Sequence, residues 1–318
     1  MHRDGTITMS RSIDTARASA AEAGRAGPLA AFATLALLWG YNWVVMKLAL
    51  DYSGPIDFAM LRVGLGALVV FALLPILRVP LRPRHVVKTF WLGLFQTTGF
   101  VGLASWSLAV GQAGKSAVLA YTMPFWVILL GWPFLGERLK GMQWPAVGLA
   151  LVGLVLVFEP GNTEAGLMNS VLALAAGVSW GISVIIVKKI PIDGRADLLS
   201  LTAWQMAFGA VPLLVAALIV PERPIEWSGY FVGALVFNAV GCTALAMLLW
   251  LYILQRLPAT ISGLSSLIVP IVGVAAAWLQ LGERPTLSEG LGIVLILAAL
   301  GLLTLGGRAT GPEAAEGM

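Results

Sequence analysis

Long apolar stretches alternate with short polar breaks between residues 28 and 306. A helix that crosses a bilayer needs about 20 mainly apolar residues, and stretches of about that length recur along the chain. The breaks between them are rich in glycine, proline and charged residues, which end helices. The pattern predicts ten membrane-spanning helices, at about 28–50, 56–78, 87–110, 115–135, 142–159, 166–188, 197–220, 228–254, 258–281 and 287–306.

The second half of the chain repeats a pattern of the first half. The sequence around Pro124 is YTMPFWVILLGWPFLGERLK, and the sequence around Pro270 is LIVPIVGVAAAWLQLGERPT. The two prolines are 146 residues apart, and so are Gly136 and Gly282 of the two LGER motifs. Matching motifs at a fixed spacing indicate a duplicated unit.

The duplication predicts an all-α integral membrane protein made of two five-helix repeats. Because each repeat has an odd number of spans, the second repeat is inverted relative to the first, an arrangement that many transporters use. Residues 1–27 are polar and lack the apolar core of a signal peptide. The predicted division is a disordered cytoplasmic tail (1–27), the first repeat (28–160), the second, inverted repeat (166–307) and a short C-terminal tail (308–318).

The composition excludes an ordinary soluble domain. The chain is 58% hydrophobic and 11% charged, whereas soluble domains are about 25% charged. With the N-terminus inside, fifteen of the 20 Lys and Arg residues lie on the inner side and three on the outer side. The positive-inside rule therefore predicts a multi-pass protein of the plasma membrane with both termini in the cytoplasm. Cys242 is the single cysteine, so no disulfide within the chain and no structural zinc site is expected.

The motifs resemble those of a known transporter family. The set comprises Trp39-Gly40-Tyr41-Asn42 followed by Lys47, the proline at 124 and Gly136-Glu137-Arg138, with weaker copies in the second half. This set is similar to the EamA-type branch of the drug/metabolite transporter superfamily, and the tryptophan-rich spans resemble its YddG-type amino-acid exporters. The resemblance implies a ten-helix exporter of the bacterial inner membrane, with a central cavity between the two halves. No cofactor is expected. Since ten helices enclose a cavity within one chain, we expect a monomer.

Polar and aromatic residues in the spans are the candidate substrate contacts. Polar groups at mid-span are costly in lipid and usually face the protein interior. For Asn42 the alternative is a hydrogen bond that ties two helices together, and for the serines it is helix packing. The predicted binding residues are Trp39, Asn42, Gln96, Trp106, Tyr121, Trp180, Ser183, Asn238 and Ser265.

Four other residues in or near the spans are interpreted separately. Pro124 and Pro270 each remove a backbone donor, so they are either static kinks or a pair of gating hinges. Lys47 either extends to the lipid headgroups or makes a structural contact, or it attracts a substrate carboxylate. Arg62 is expected to pair with Asp51 or Asp57.

Several function classes compete. Every Asp and Glu falls in a tail, a loop or a helix end, which disfavours a carboxylate-based proton antiporter. The favoured reading is a facilitative exporter of small amphipathic metabolites, above all aromatic or other neutral amino acids. The alternatives are a proton-coupled exporter of drugs or other metabolites and, more remotely, an intramembrane enzyme. An intramembrane enzyme would need a base or metal ligands within the spans, but His2 lies in the tail and His85 in a loop.

Overall fold

The computed structural model describes residues 4–138, 141–158, 164–246, 248–249, 253 and 265–306, and the regular structure within them is helical. The α-helices are α1 (Asp4–Ala49), α2 (Pro55–Ile76), α3 (Val86–Leu92), α4 (Phe100–Val110), α5 (Ala113–Ala120), α6 (Met123–Leu135), α7 (Gln143–Val157), α8 (Glu164–Lys188), α9 (Arg195–Ile219), α10 (Gly229–Val236), α11 (Ser265–Leu281) and α12 (Leu287–Gly306). Two π-helical segments complete the list, Gly93–Gly99 between α3 and α4 and Phe237–Leu245 after α10.

Many of these helices are suited to a bilayer. Among the described residues, five stretches are long and apolar enough to cross a membrane, namely Gly27–Ala49, Pro55–Ile76, Ala113–Leu135, Glu164–Lys188 and Ala196–Ile219. Shorter apolar helices cover Gln143–Val157, Gly229–Leu245, Ile268–Leu281 and Leu287–Leu303. The described part of the chain is therefore all-α, and its helices are consistent with a membrane protein. Parts of the predicted spans 228–254 and 258–281 lie outside the described residues.

The N-terminal segment differs from the sequence-based expectation. Residues 1–27 are predicted to be a disordered tail, but α1 begins at Asp4 and continues without interruption to Ala49. The segment before Pro28 is rich in alanine, the residue with the highest helix propensity, which accounts for a helix there. The part of α1 that is long and apolar enough to cross a membrane begins at Gly27.

Helices of the first half pack against helices of the second half. α1 contacts α11, α2 contacts α9, α6 contacts α8, and α7 contacts α12. Glycines allow close approach between α7 and α12, because a Cβ on Gly153 would lie 2.8 Å from the Gly292 carbonyl oxygen. A Cβ on Gly292 would lie 2.6 Å from the Gly153 carbonyl oxygen. Small residues at helix crossings are typical of membrane proteins, where close backbone packing replaces the hydrophobic effect.

The two LGER motifs end their helices in the same way. Gly136 and Gly282 adopt φ angles of 72° and 67°, a left-handed conformation that favours glycine. The N–H of Glu137 then donates to the Gly131 carbonyl at 3.1 Å, and the N–H of Glu283 donates to the Ala277 carbonyl at 3.3 Å. These bonds satisfy carbonyls that the helix ends would otherwise leave free. The motif is thus a helix stop that positions a glutamate.

The two glutamates have different partners. Glu137 forms an exposed ion pair with Lys188 at 2.9 Å, at what we call the Lys188 end of the bundle. Glu283 accepts from the N–H groups of Ala113 and Gly114 at 2.7 and 2.9 Å, and so caps the start of α5. We call this opposite end the Lys47 end.

Further polar contacts close the Lys47 end. Lys47 Nζ donates to the carbonyl oxygens of Leu108 and Gly111 at 2.6 and 2.8 Å, near the end of α4. Glu222 accepts from the first N–H groups of α2, and Arg223 donates to the Leu50 carbonyl. The turn between α1 and α2 is therefore tied to the segment that follows α9.

A buried ion pair lies near the same end. Lys115 Nζ is 2.8 Å from Glu289 Oε1, and the two side chains are 3% and 7% exposed. Lys115 is the first residue of the predicted span 115–135, but α5 begins two residues earlier, at Ala113, and buries the lysine.

Candidate functional site

A cavity of about 640 Å³ lies between the two halves of the bundle. α1, α2, α8 and α9 line it, together with both π-helical segments and the junction of α5 and α6. Its lining includes Val187, Leu198 and Leu201, near the end of α8 and the beginning of α9. The cavity therefore extends toward the Lys188 end, whereas Lys47 and Glu283 at the other end do not line it.

The π-helical segments bring polar groups to the cavity. Gln96 and Thr97 come from the first segment, and Cys242 and Thr243 from the second. In a π-helix the backbone hydrogen bonds join residues five apart instead of four, and such segments are frequent at functional sites. Their carbonyls also accept side-chain bonds, as Phe95 does from Ser179 Oγ at 2.7 Å.

One wall of the cavity is aromatic. The ring of Trp180 lies 4.8 Å from that of Phe100 and 5.5 Å from that of Tyr121, between ring centroids. Trp39 donates its indole N–H to the Cys242 carbonyl at 3.1 Å, which fixes its ring against the second π-helical segment. Such a wall suits an apolar or aromatic group of a small molecule.

The polar lining contains side-chain oxygens that lack partners. Asn42 is 8% exposed and Gln205 is 7% exposed. Neither the Oδ1 of Asn42 nor the Oε1 of Gln205 has a hydrogen-bond partner. Buried polar atoms are normally paired, so an unpaired one invites a ligand or water. The Nδ2 of Asn42 donates to Met46 Sδ at 3.1 Å, a weak acceptor.

Comparison with known proteins identifies the family. The EamA-like transporter family matches the chain twice, at residues 27–159 and 167–305. The chain is 29% identical to "Uncharacterized transporter YoaV" of Bacillus subtilis (strain 168) over 273 residues, which covers 84% of this chain and 93% of that protein. It is 30% identical to "Probable amino-acid metabolite efflux pump" of Escherichia coli (strain K12) over 284 residues, 86% of this chain and 93% of that protein. The chain belongs to the EamA-like transporter family.

A solved crystal structure shares the fold. It superposes on 89% of this chain and 99% of its own with a TM-score of 0.58, at 19% sequence identity. At that identity the likeness concerns the fold alone. The family assignment agrees with the resemblance drawn from the sequence motifs, and it makes this protein a membrane transporter.

The structure brings five of the predicted binding residues of this EamA-like transporter together. Trp39, Asn42, Gln96, Tyr121 and Trp180 all line the cavity. They come from α1, from the first π-helical segment, from the α5–α6 junction and from α8. The side chain of Gln96 makes no hydrogen bond to any described residue, so its amide is available to a ligand. Their role in binding stays a prediction.

Three predicted residues lie elsewhere. Trp106 lies in α4 and is 47% exposed. Ser183 is fully buried, and its Oγ donates to the Trp180 carbonyl at 2.6 Å. Asn238 is also fully buried, and its Nδ2 donates to the Ala234 carbonyl at 2.9 Å. None of the three lines the cavity. The side chain of Ser265 lies outside the described residues.

The prolines and Lys47 also lie outside the cavity lining. Pro124 is the second residue of α6, just after the chain leaves the helix at Tyr121. Pro270 is within α11 and is buried. Lys47 Nζ donates hydrogen bonds to two backbone carbonyls, which is the structural contact given above as one of its interpretations.

Sequence reasoning missed several polar lining residues, among them two with large side chains. Arg62 and Gln205 line the cavity, and Arg62 forms no ion pair with Asp51 or Asp57, contrary to expectation. Their residue type was the available signal, because both are polar side chains inside predicted spans, where polar groups are costly in lipid. They lie in α2 and α9, two helices that pack together.

Within the described residues, no group of three or more His, Cys, Asp or Glu side chains is arranged to hold a metal ion.

Proposed function

We propose that this EamA-like transporter exports small amphipathic metabolites, with aromatic or other neutral amino acids as the favoured class. The observation that carries this proposal is the cavity of about 640 Å³, which joins an aromatic wall to amide side chains. Ligand pockets of about 300–1,000 Å³ are typical for small molecules. The 30% identity to a protein named "Probable amino-acid metabolite efflux pump" supports the same class.

We infer that ten spans form two inverted repeats and that transport proceeds by alternating access. The two family matches support the division, since each covers one half of the chain. Equivalent glycines end equivalent helices at 136 and 282, which supports it further. The π-helical segments also fall in the third span of each half.

The orientation follows from the distribution of charge. Arg84, Lys88, Lys188 and Lys189 all lie at the Lys188 end. By the positive-inside rule this end faces the cytoplasm, with both chain termini on that side of the inner membrane. The cavity then opens to the cytoplasm and is closed toward the outside, the state that loads a substrate for export. One chain encloses the cavity, which favours a monomer.

A facilitative mechanism agrees with the charges. Among the described residues the cavity lining contains no Asp or Glu, and the buried Glu289 is held by Lys115. A proton-coupled drug exporter on the same scaffold would need an exchangeable group in the transport path. We therefore propose export down the substrate gradient.

Purified protein in liposomes tests this function. The liposomes are preloaded with radiolabelled neutral amino acids, and release is followed without an ion gradient. We expect downhill release by the wild type, a loss of release in Asn42→Ala and Gln96→Ala, and a strong reduction in Trp180→Ala. Trp106→Ala is the matched control, because Trp106 is a tryptophan outside the cavity. Uphill export driven by a pH gradient would contradict the facilitative mechanism, and no release of any amino acid would contradict the substrate class.

A further inference from the structure

Arg62 is the one charged side chain among the described residues that line the cavity. It lies in α2, well inside the stretch Pro55–Ile76 that is able to cross a membrane. A charge at such a depth is costly unless it is paired or meets water or a ligand. The positive charge of Arg62 therefore lies within the membrane-spanning part of the protein, where it faces the cavity.

The partners of Arg62 do not satisfy its guanidinium. The group has five N–H donors, but its hydrogen bond is from Nη1 to Met46 Sδ, at 2.8 Å. A thioether sulfur is a weak acceptor. No carboxylate of the described residues lies within 4.0 Å of this side chain. The guanidinium is thus positioned by Met46, and no described residue serves as its counter-ion.

The amide of Asn42 lies beside this group. Its Nδ2 also donates to Met46 Sδ, at 3.1 Å, so the two nitrogens are no further apart than the sum of their distances to that sulfur. Asn42 Oδ1 and Gln205 Oε1 are acceptors without partners in the same cavity. The cavity therefore offers an unpaired cation together with unpaired neutral oxygens, next to an aromatic wall.

We propose that Arg62 binds the carboxylate of the transported substrate and that the side-chain oxygens of Asn42 and Gln205 accept hydrogen bonds from its ammonium group. This inference rests on the proposed function and names the chemistry that the cavity recognises. A guanidinium matches the two oxygens of a carboxylate with two parallel bonds. A phosphate monoester, with nearly two negative charges, would leave one charge unmatched by the single cation. The apolar side chain of the substrate lies against Phe100, Tyr121 and Trp180.

Ligand-induced thermal stabilisation of the full-length protein in detergent tests the inference without transport. Three probes share a phenyl group: L-phenylalanine, L-phenylalaninamide, which lacks the carboxylate, and 3-phenylpropanoate, which lacks the ammonium. We expect L-phenylalanine to raise the Tm of the wild type most, 3-phenylpropanoate to raise it less, and the amide to leave it unchanged.

Variants assign the effect to the side chain. Arg62→Gln should lose the response to both carboxylates. Arg62→Lys keeps the charge but loses the paired bonds, so we expect about tenfold or more weaker apparent binding. Arg82→Gln is the matched control, because Arg82 is an exposed arginine outside the cavity, and it should respond as the wild type does.

The outcomes separate this inference from the proposed function. If liposomes release no amino acid but the carboxylates stabilise the protein through Arg62, the amino-acid assignment fails and the carboxylate site stands. If the wild type responds equally to L-phenylalanine and its amide, or to neither carboxylate, the inference is overturned. Equal binding of L-phenylalanine by wild type and Arg62→Gln also overturns it. Should Arg62→Gln not fold, the probe series on the wild type and Arg62→Lys still decides.

Discussion

Gly40 of α1 lies directly against Val272 of α11, so closely that a Cβ added to the glycine would be 2.5 Å from Val272 Cβ. The equivalent glycine in the second half, Gly181, lies against Trp126, where an added Cβ would be 2.7 Å from Trp126 Cβ. Val272 and Trp126 are themselves equivalent, since each follows its mid-span proline by two residues. The Trp-Gly motif of each half therefore packs against the proline-containing span of the other half.

Gly40→Ala should destabilise the protein. The new methyl group would force α1 and α11 apart, and overpacking of this kind costs about 1–3 kcal/mol. Thermal unfolding in detergent measures the loss. Gly64→Ala is the matched control, because nothing lies within 4 Å of a Cβ at that helical glycine. A Gly40→Ala variant as stable as Gly64→Ala would show that this contact does not limit the packing.

The buried pair of Lys115 and Glu289 should be sensitive to single changes. Lys115→Met leaves the Glu289 carboxylate buried without its partner, and removing one member of a buried pair costs about 3–5 kcal/mol. The double variant Lys115→Met/Glu289→Leu should recover much of that loss, because it removes both charges.

An exposed ion pair serves as the comparison. Lys188→Gln breaks the pair with Glu137, whose side chains are 41% and 56% exposed, and exposed pairs contribute about 0–1 kcal/mol. The measurement is the unfolding midpoint of the wild type, of Lys115→Met, of the double variant and of Lys188→Gln. A loss in Lys115→Met no larger than that in Lys188→Gln would contradict the assigned role of the buried pair.

Lys47→Met distinguishes a structural from a binding role for this lysine. Because Lys47 Nζ bonds to carbonyls at the end of α4 and does not line the cavity, we expect a lower Tm. The KM for amino-acid release should stay near the wild-type value. Arg62→Lys should show the opposite pattern, a raised KM with little change in Tm. A raised KM in Lys47→Met would instead favour attraction of the substrate carboxylate by Lys47.

Local patterns predicted much of this structure. Apolar stretches located the helices, and the glycine of each LGER motif marked a helix end at Gly136 and Gly282. Of the polar and aromatic residues predicted within the spans, five line the cavity. These features depend on residues close together in the chain, which is why the sequence reveals them.

Features that depend on helix rotation or on distant contacts were not predicted. Trp106 was expected in the cavity, but it is 47% exposed on α4 and does not line it, and the sequence does not show which face of the span points inward. The partner of Lys115 is Glu289, 174 residues away, and no periodicity indicates such a pair. The lack of a carboxylate beside Arg62 is likewise a property of the folded bundle.

The two prolines should differ in their effect on transport. Pro124 lies at the second position of α6, where a backbone N–H has no partner within the helix in any case. Pro270 lies inside α11, where it removes a helical bond and frees the carbonyl of Ser266. If α11 bends during alternating access, Pro270→Ala should restore that bond and slow release, while the yield of folded protein stays the same. Pro124→Ala is the matched control and should change the rate less. Release rates from liposomes, normalised to folded protein, test this, and an unchanged rate in Pro270→Ala would remove its role as a hinge and leave a static kink.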